Sequence, residues 1–191
     1  AGYNQPVTLA ITTPAGATLT CTSNPMTSSN GVATFAGCKI DKAGTYTLTA
    51  SSPGFDSAVS ASFTIATGSA AKLMFTTTPS GCAGGTACTT QPVVTIQDAG
   101  GNTVTGDTST VTLAIKSGTG TAGAALTCTA KAAVSGVATF TGCLIDKAGS
   151  NYVLTATDGS LTSVDSSQFN VSTGGATKLS FTTTPSGCAG G

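Results

Sequence analysis

The cysteines are the residues of this chain whose type and spacing bear most directly on chemistry. Seven occur among the 191 residues, and histidine is absent. Zinc sites favour Cys-x-x-Cys spacing or histidine ligands, and the chain has neither. A redox centre is also a poor fit, because the cysteines recur at matching positions along the chain. We therefore predict structural disulfides.

Sequence matching indicates how these cysteines pair. We predict three disulfides, Cys21–Cys38, Cys82–Cys88 and Cys128–Cys143, and we expect Cys188 to pair outside the given residues. Such loops contribute about 2–4 kcal/mol each in the chain-entropy model. Disulfides persist in oxidising compartments, so the pairs predict an extracellular, cell-surface location.

A weaker candidate site is one turn that carries oxygen ligands. Asp98, Asn102 and Asp107 surround this turn and would hold Ca²⁺ together with backbone carbonyls. The alternative is structural, because Asp and Asn also supply turn hydrogen bonds and tolerate left-handed geometry. Three side chains without a glutamate make a poor calcium set. We therefore predict no bound metal and keep the calcium site as the minor alternative.

Composition argues against several classes of function. Seven lysines and seven aspartates balance, and arginine and glutamate are absent, so the basic surface typical of nucleic-acid binding is missing. Without histidine no Ser-His-Asp or Cys-His set can form, and no Gly-rich phosphate loop opens a helix. No apolar run approaches the roughly 20 residues of a membrane span. We expect no enzyme activity, no cofactor, no nucleic-acid partner and no membrane insertion.

The elements that position these residues belong to a repeat of about 105 residues. Ala71–Gly85 returns as 177–191, and Gly31–Cys38 returns as 136–143. Three segments follow: 1–67 as a partial repeat without its first two strands, 70–173 as a complete repeat, and 174–191 as the first strand of another. A period of this length is typical of small domains in series.

The complete repeat has the apolar alternation of short strands and no helical periodicity. Seven strands with one apolar face each predict an all-β fold, an antiparallel sandwich of two sheets. Cys128 and Cys143 would lie on the fourth and fifth strands. Tyr46 and Tyr152 each follow an Asp-Lys-Ala-Gly turn and open a strand, which is the pattern of a tyrosine corner.

The stretch Gln91–Val104, then Val111–Ile115, then the Asp-Lys-Ala-Gly turn with its tyrosine, resembles bacterial Ig-like repeats of the invasin-like group. Such repeats occur in tandem in large bacterial surface proteins. The resemblance covers nearly all of the chain and implies a fold and a setting, without specifying a ligand.

Two functions fit these observations. The first is a structural spacer in an extracellular stalk, fibre or filament. The alternative is an adhesin-type module that recognises a host surface or a carbohydrate. The copies differ mainly by conservative exchanges, and no exposed aromatic cluster is evident as a binding hot spot. The spacer is therefore favoured.

The ends of the chain do not match the repeat. Segment 1–67 begins at its third strand, and 174–191 is a strand without a domain. Either the chain continues into a longer array, which we favour, or the tail is donated as a strand to a neighbouring subunit. Both predict a head-to-tail fibre in which the partners are identical repeats or subunits.

Overall fold

The computed structural model describes residues 3–183 and 186–187, and this part of the chain is all-β, with short strands and no helix. The strands are β1 (Pro6–Thr13), β2 (Leu19–Thr20), β3 (Met26–Thr27), β4 (Lys39–Ile40), β5 (Gly44–Ser51), β6 (Ala58–Val59), β7 (Phe63–Ile65), β8 (Lys72–Thr77), β9 (Cys82–Ala83), β10 (Val93–Gln97), β11 (Thr110–Ile115), β12 (Leu126–Thr127), β13 (Lys131–Ala132), β14 (Val137–Thr139), β15 (Leu144–Ile145), β16 (Gly149–Tyr152), β17 (Leu154–Thr157), β18 (Val164–Asp165) and β19 (Phe169–Ser172). The described residues contain no helix that is long and apolar enough to cross a membrane.

Strands β8 to β19 form several small sheets around one core. One sheet has the order β14-β10-β8, a second has the order β13-β11-β17-β18, and a third has the order β16-β19-β9. All named pairings are antiparallel except that of β19 with β9. Side chains from all three sheets meet in a single hydrophobic cluster, which includes Val94, Val111, Tyr152, Leu154 and Phe169.

The alternation expected from the sequence is present in these strands. In β8, Leu73 is buried and Met74 is exposed, and in β11 Val111 and Leu113 are buried between exposed neighbours. The expectation of seven strands was wrong, because this segment has twelve, β8 to β19. Cys128 and Cys143 lie just outside strands rather than on them, since β12 and β14 end earlier than predicted.

Strands β1 to β7 repeat part of this arrangement. β1 pairs with β5, as β11 pairs with β17, and β7 pairs with β5, as β19 pairs with β16. Nothing in residues 3–67 corresponds to β8 or β10. The apolar side chains of β1 are therefore only half buried, and Tyr46 is the one hydrophobic residue of this segment in the buried core.

Within the described residues of the tail, the strand that the sequence predicted is absent. Residues 174–183 contain no strand, and Leu179 and Phe181 are almost completely exposed. Their copies in β8 are held by antiparallel pairing with β10. The described part of the tail has no such partner, so it lacks the inter-strand hydrogen bonds that would make it a strand.

Candidate functional site

A polar contact joins the two repeated segments. A loop after β10, residues 98–102, reaches the turn between β4 and β5, residues 41–43. The loop is closed by hydrogen bonds from Asp98 N to Asn102 O and from Gly101 N to Asp98 O, at 2.9 and 3.1 Å. Gly101 has a φ of +84°, a conformation that suits glycine. We call this contact the joint.

The side-chain amide of Asn102 makes two hydrogen bonds to the turn at residues 41–43. Its Nδ2 donates to Asp41 O at 3.0 Å, and its Oδ1 accepts from Ala43 N at 3.0 Å. A further hydrogen bond runs from the turn to the loop, because Lys42 Nζ donates to Gly100 O at 3.1 Å. Donor and acceptor on one planar group must both match, so this contact fixes orientation as well as proximity.

Asp98 holds Asn102 in the orientation that the joint requires. Its carboxylate accepts from Asn102 N at 2.8 Å and from Asn102 Nδ2 at 2.9 and 3.0 Å. The same carboxylate accepts from Gly68 N, in the connection between the segments, at 2.8 Å. Asp98 is thus hydrogen-bonded both to its own loop and to Gly68 in the connection between the two segments.

The environment of Asp98 favours its charged form. Burial raises the pKa of this carboxyl, but the hydrogen bonds from the side chain and backbone of Asn102, from Gly68 and from Gly100 outweigh burial and lower the pKa to about 2. The carboxylate therefore stays ionised well below the ordinary pH range of aspartate titration.

Close packing at the joint depends on a glycine. A side chain at Gly100 would run into Asp41 O and would lie 3.0 Å from Asn102 Nδ2. By contrast, a side chain at Gly106 of the same segment would meet nothing within 4 Å. Gly100 is therefore required by the close approach of two backbones.

The tyrosine corners hold the two Asp-Lys-Ala turns in place through hydrogen bonds. Tyr46 is 2% exposed, and its hydroxyl donates to Lys42 O at 2.9 Å. Tyr152 is fully buried, and its hydroxyl donates to Lys147 O at 2.8 Å. Each ring thus anchors the Asp-Lys-Ala turn that precedes it, and in the first segment this is the turn that enters the joint.

The three residues proposed as a calcium site are not gathered around one point. Asp98 and Asn102 bond to each other, whereas Asp107 Oδ1 accepts from the backbone and hydroxyl of Ser109. Ser109 Oγ also lies 2.5 Å from Asp158 Oδ2. Within the described residues no cluster of three or more His, Cys, Asp or Glu side chains is arranged to hold a metal. Calcium binding here stays a hypothesis without geometric support.

Three disulfides join the described cysteines: Cys21 to Cys38, Cys82 to Cys88 and Cys128 to Cys143. Cys82, Cys88 and Cys143 are buried in the core of the second segment, whereas Cys38 is exposed. Cys188 lies outside the described residues, so its pairing stays a prediction.

Sequence reasoning singled out Asp98 and Asn102, with turn hydrogen bonds as the favoured role and calcium as the minor alternative, but it missed the contact of their loop with Lys42, Ala43 and Gly68. The available signal was the identical Asp-Lys-Ala-Gly at 41–44 and 146–149. A sequence retained at a surface turn indicates a contact as well as a tyrosine corner.

One aromatic pair in the first segment is partly exposed, whereas the sequence suggested no exposed aromatic cluster. Tyr3 and Phe55 meet edge to face with ring centroids 4.7 Å apart, and Phe55 is 63% exposed. Leu161 occupies the corresponding place in the second segment and packs against the core. Phe55 is exposed because residues 3–67 contain no counterpart of β8 to cover it.

Comparison with known proteins gives distant structural neighbours. No protein-family model and no curated protein matches the chain. A glycosyl hydrolase family 2 member from Bacteroides cellulosilyticus is 10% identical with a TM-score of 0.44, and the match covers 67% of this chain and 17% of that one. The D0-D1 domain of Intimin is 17% identical with a TM-score of 0.38, covering 89% and 82% of the two chains. The fold and the site define an all-β, disulfide-bonded protein.

Proposed function

We propose that this chain is a spacer in an extracellular bacterial surface stalk or fibre, assembled head to tail from tandem Ig-like antiparallel β-sandwiches of about 105 residues. The observation that carries the proposal is the joint. A spacer transmits position only when consecutive units hold a defined orientation. Asn102 and Asp98 provide that orientation through hydrogen bonds at several points.

The core of the second segment supports the sandwich. Val94 of β10 and Val111 of β11 come from different sheets, and both are fully buried in one cluster. Apolar faces from two sheets that meet in this way are the usual arrangement of an aligned sandwich. The tyrosine corner at Tyr152 is a feature of the same architecture.

Chemistry and setting also fit a spacer. The described disulfides favour an oxidising, extracellular location. The absence of histidine from the sequence removes the commonest catalytic base. We propose that the chain has no catalytic activity and that its partners are identical repeats.

The joint is tested by substituting the glycine that it requires. In the Gly100→Ala variant the added methyl group cannot be accommodated against Asp41 O, so the two segments should lose their fixed orientation. Small-angle X-ray scattering should then report a broader distribution of shapes, and the Ala43 amide should exchange faster. Gly106→Ala is the matched control, because its methyl group points into open space. Identical scattering and exchange for all three proteins would contradict the proposal.

A second candidate function is adhesion to a host surface or carbohydrate. The specific observation in its favour is the Tyr3–Phe55 pair, because exposed aromatic side chains often anchor binding partners. Tyr3→Ser and Phe55→Ser variants would lose cell or glycan binding if this pair were the site. Equal binding by the variants, or none by the unmodified chain, would leave the spacer as the better account.

A further inference from the structure

The second segment carries a copy of the turn that enters the joint, but its copy is uncovered. Asp146-Lys147-Ala148-Gly149 repeats the sequence of 41–44. Lys42 and Ala43 are half buried, whereas Lys147 and Ala148 are exposed. Loop 98–102, which packs on the first turn, is the element that accounts for this difference.

The two turns are built in the same way. Asp41 Oδ1 accepts from Thr18 N and Asp146 Oδ1 accepts from Ala125 N, both at 2.7 Å. The tyrosine hydroxyl then fixes the next carbonyl in each turn. The second turn therefore presents the carbonyl of Asp146 and the amide of Ala148 with the framework that supports Asp41 and Ala43.

The backbone amide of Ala148 differs from its counterpart in the first turn in its hydrogen bonding. In the first turn, the corresponding Ala43 N donates to Asn102 Oδ1. In the described part of the chain, Ala148 N makes no hydrogen bond to backbone or side chain. Gly84 packs against this turn from within its own segment, because a Cβ added there would lie 3.1 Å from Asp146 O and 3.4 Å from Ala148 N. Even so, residues 146–148 all remain exposed.

The tail indicates what approaches this turn. Thr177–Phe181 repeats Ala71–Phe75, and in the second segment this stretch is tied to loop 98–102. Ala71 N donates to Gln97 O at 2.8 Å, and Lys72 Nζ donates to Ala99 O at 3.3 Å. A segment that continues from this tail with the same sequence would carry its own copy of the loop to the second turn.

We infer that the turn at 146–148 is a docking surface for the Asp-Ala-Gly-Gly-Asn loop of a following repeat. The asparagine amide of that loop donates to Asp146 O and accepts from Ala148 N, and its aspartate accepts from Gly174 N, as Asp98 does from Gly68 N. This inference rests on the spacer proposal and names the residues through which its units connect.

The test extends the chain with its own sequence. A protein in which the sequence of residues 86–173 follows Gly191 completes a third segment with its own loop. In this protein the Ala148 amide should exchange at least roughly tenfold more slowly than in the 191-residue chain. Replacing the asparagine of the added loop with alanine should abolish that protection. The Ala43 amide, protected by Asn102, reports in each protein that the first joint is intact.

The outcomes separate this inference from the spacer proposal. If scattering shows three segments in an extended arrangement but Ala148 remains unprotected, the docking surface is refuted and the spacer stands. If the third segment folds and packs beside the others in a compact particle, the spacer proposal also fails. Protection of Ala148 that survives loss of the added asparagine would likewise overturn the docking surface.

Discussion

Asn102 is the residue through which the two segments are oriented. Its amide nitrogen contacts Asp41 O and both oxygens of Asp98, and its amide oxygen contacts Ala43 N. Every polar atom of the side chain is therefore engaged, and only one of the two flipped forms of the amide satisfies these partners. A neighbour with another hydrogen-bonding pattern would not fit.

Substitution of Asn102 should weaken the joint without unfolding the second core. Asn102→Ala leaves Ala43 N without its acceptor, and we expect a loss of about 1–3 kcal/mol in the coupling of the segments. Hydrogen exchange at Ala43 and Gly68 should accelerate while Leu154 remains protected. Ser160→Ala, at an exposed position, is the control. Unchanged exchange at Ala43 would show that the contact does not hold the joint.

Asp98 makes the joint sensitive to acid. Because the folded state lowers the Asp98 pKa from 3.8 to about 2, its stabilising effect is complete above about pH 4 and is lost as pH falls through about 2. NMR signals of the Gly68 amide and the Asn102 side-chain amide should therefore titrate with a midpoint near 2.

The control for this titration is Asp98→Asn, which retains a side-chain oxygen but has no carboxyl to protonate. In this variant the acid transition of the Gly68 amide should disappear. A midpoint near the ordinary aspartate value in the unmodified protein would mean that the carboxylate is not held by the joint in solution.

The elements show how far local sequence determines structure. The pentapeptide Gly-Val-Ala-Thr-Phe occurs at 31–35 and at 136–140. Only the second copy forms a strand, β14, because β10 lies beside it and pairs Val94 with Ala138. Ala138 is completely buried, whereas its copy Ala33 is only half buried. Strand content here depends on a partner that the pentapeptide does not contain.

Sequence patterns therefore predicted what is local or repeated. Alternation identified the buried faces of β8 and β11, and the turn motifs located Tyr46 and Tyr152. The joint could not be predicted, because it depends on Asn102 meeting a turn about sixty residues away. No periodicity encodes that distance, and Asp with Asn in a turn also fits a cation site.

The disulfides offer a comparison at the level of elements. Cys21–Cys38 and Cys128–Cys143 close loops of similar length, with sequence separations of 17 and 15. The entropic stabilisation should therefore be nearly equal, about 3 kcal/mol each. Cys143 is 2% exposed, whereas Cys38 lies on the surface.

We predict that replacing Cys128 and Cys143 with alanine destabilises the second segment more than replacing Cys21 and Cys38 destabilises the first segment. The excess arises from the packing lost around Cys143, because a truncated buried side chain leaves a cavity. Segment-resolved hydrogen exchange measures both losses. Equal losses would mean that loop closure alone accounts for the stabilisation.

At the scale of the whole molecule, the two segments differ in how completely their cores are closed. Leu48 N donates to Ser60 Oγ at 2.9 Å, and Leu154 N donates to Ser166 Oγ at 3.0 Å. Leu154 is 1% exposed, but Leu48 is only half buried. The same hydrogen bond thus stands in a closed core in one segment and under an open face in the other.

The open face predicts association of the 191-residue chain. The groove lined by Leu19, Ile40, Leu48, Phe63 and Ile65 is largely apolar, and the tail exposes Leu179 and Phe181. Covering this surface removes apolar area from water, and the balanced charge opposes association only weakly. Light scattering should show a rise in mass with concentration, accompanied by slower exchange at Leu48. Leu179→Asp with Phe181→Asp should reduce association if the tail covers the face. A chain that stayed monomeric, with Leu48 as protected as Leu154, would contradict head-to-tail assembly through this face.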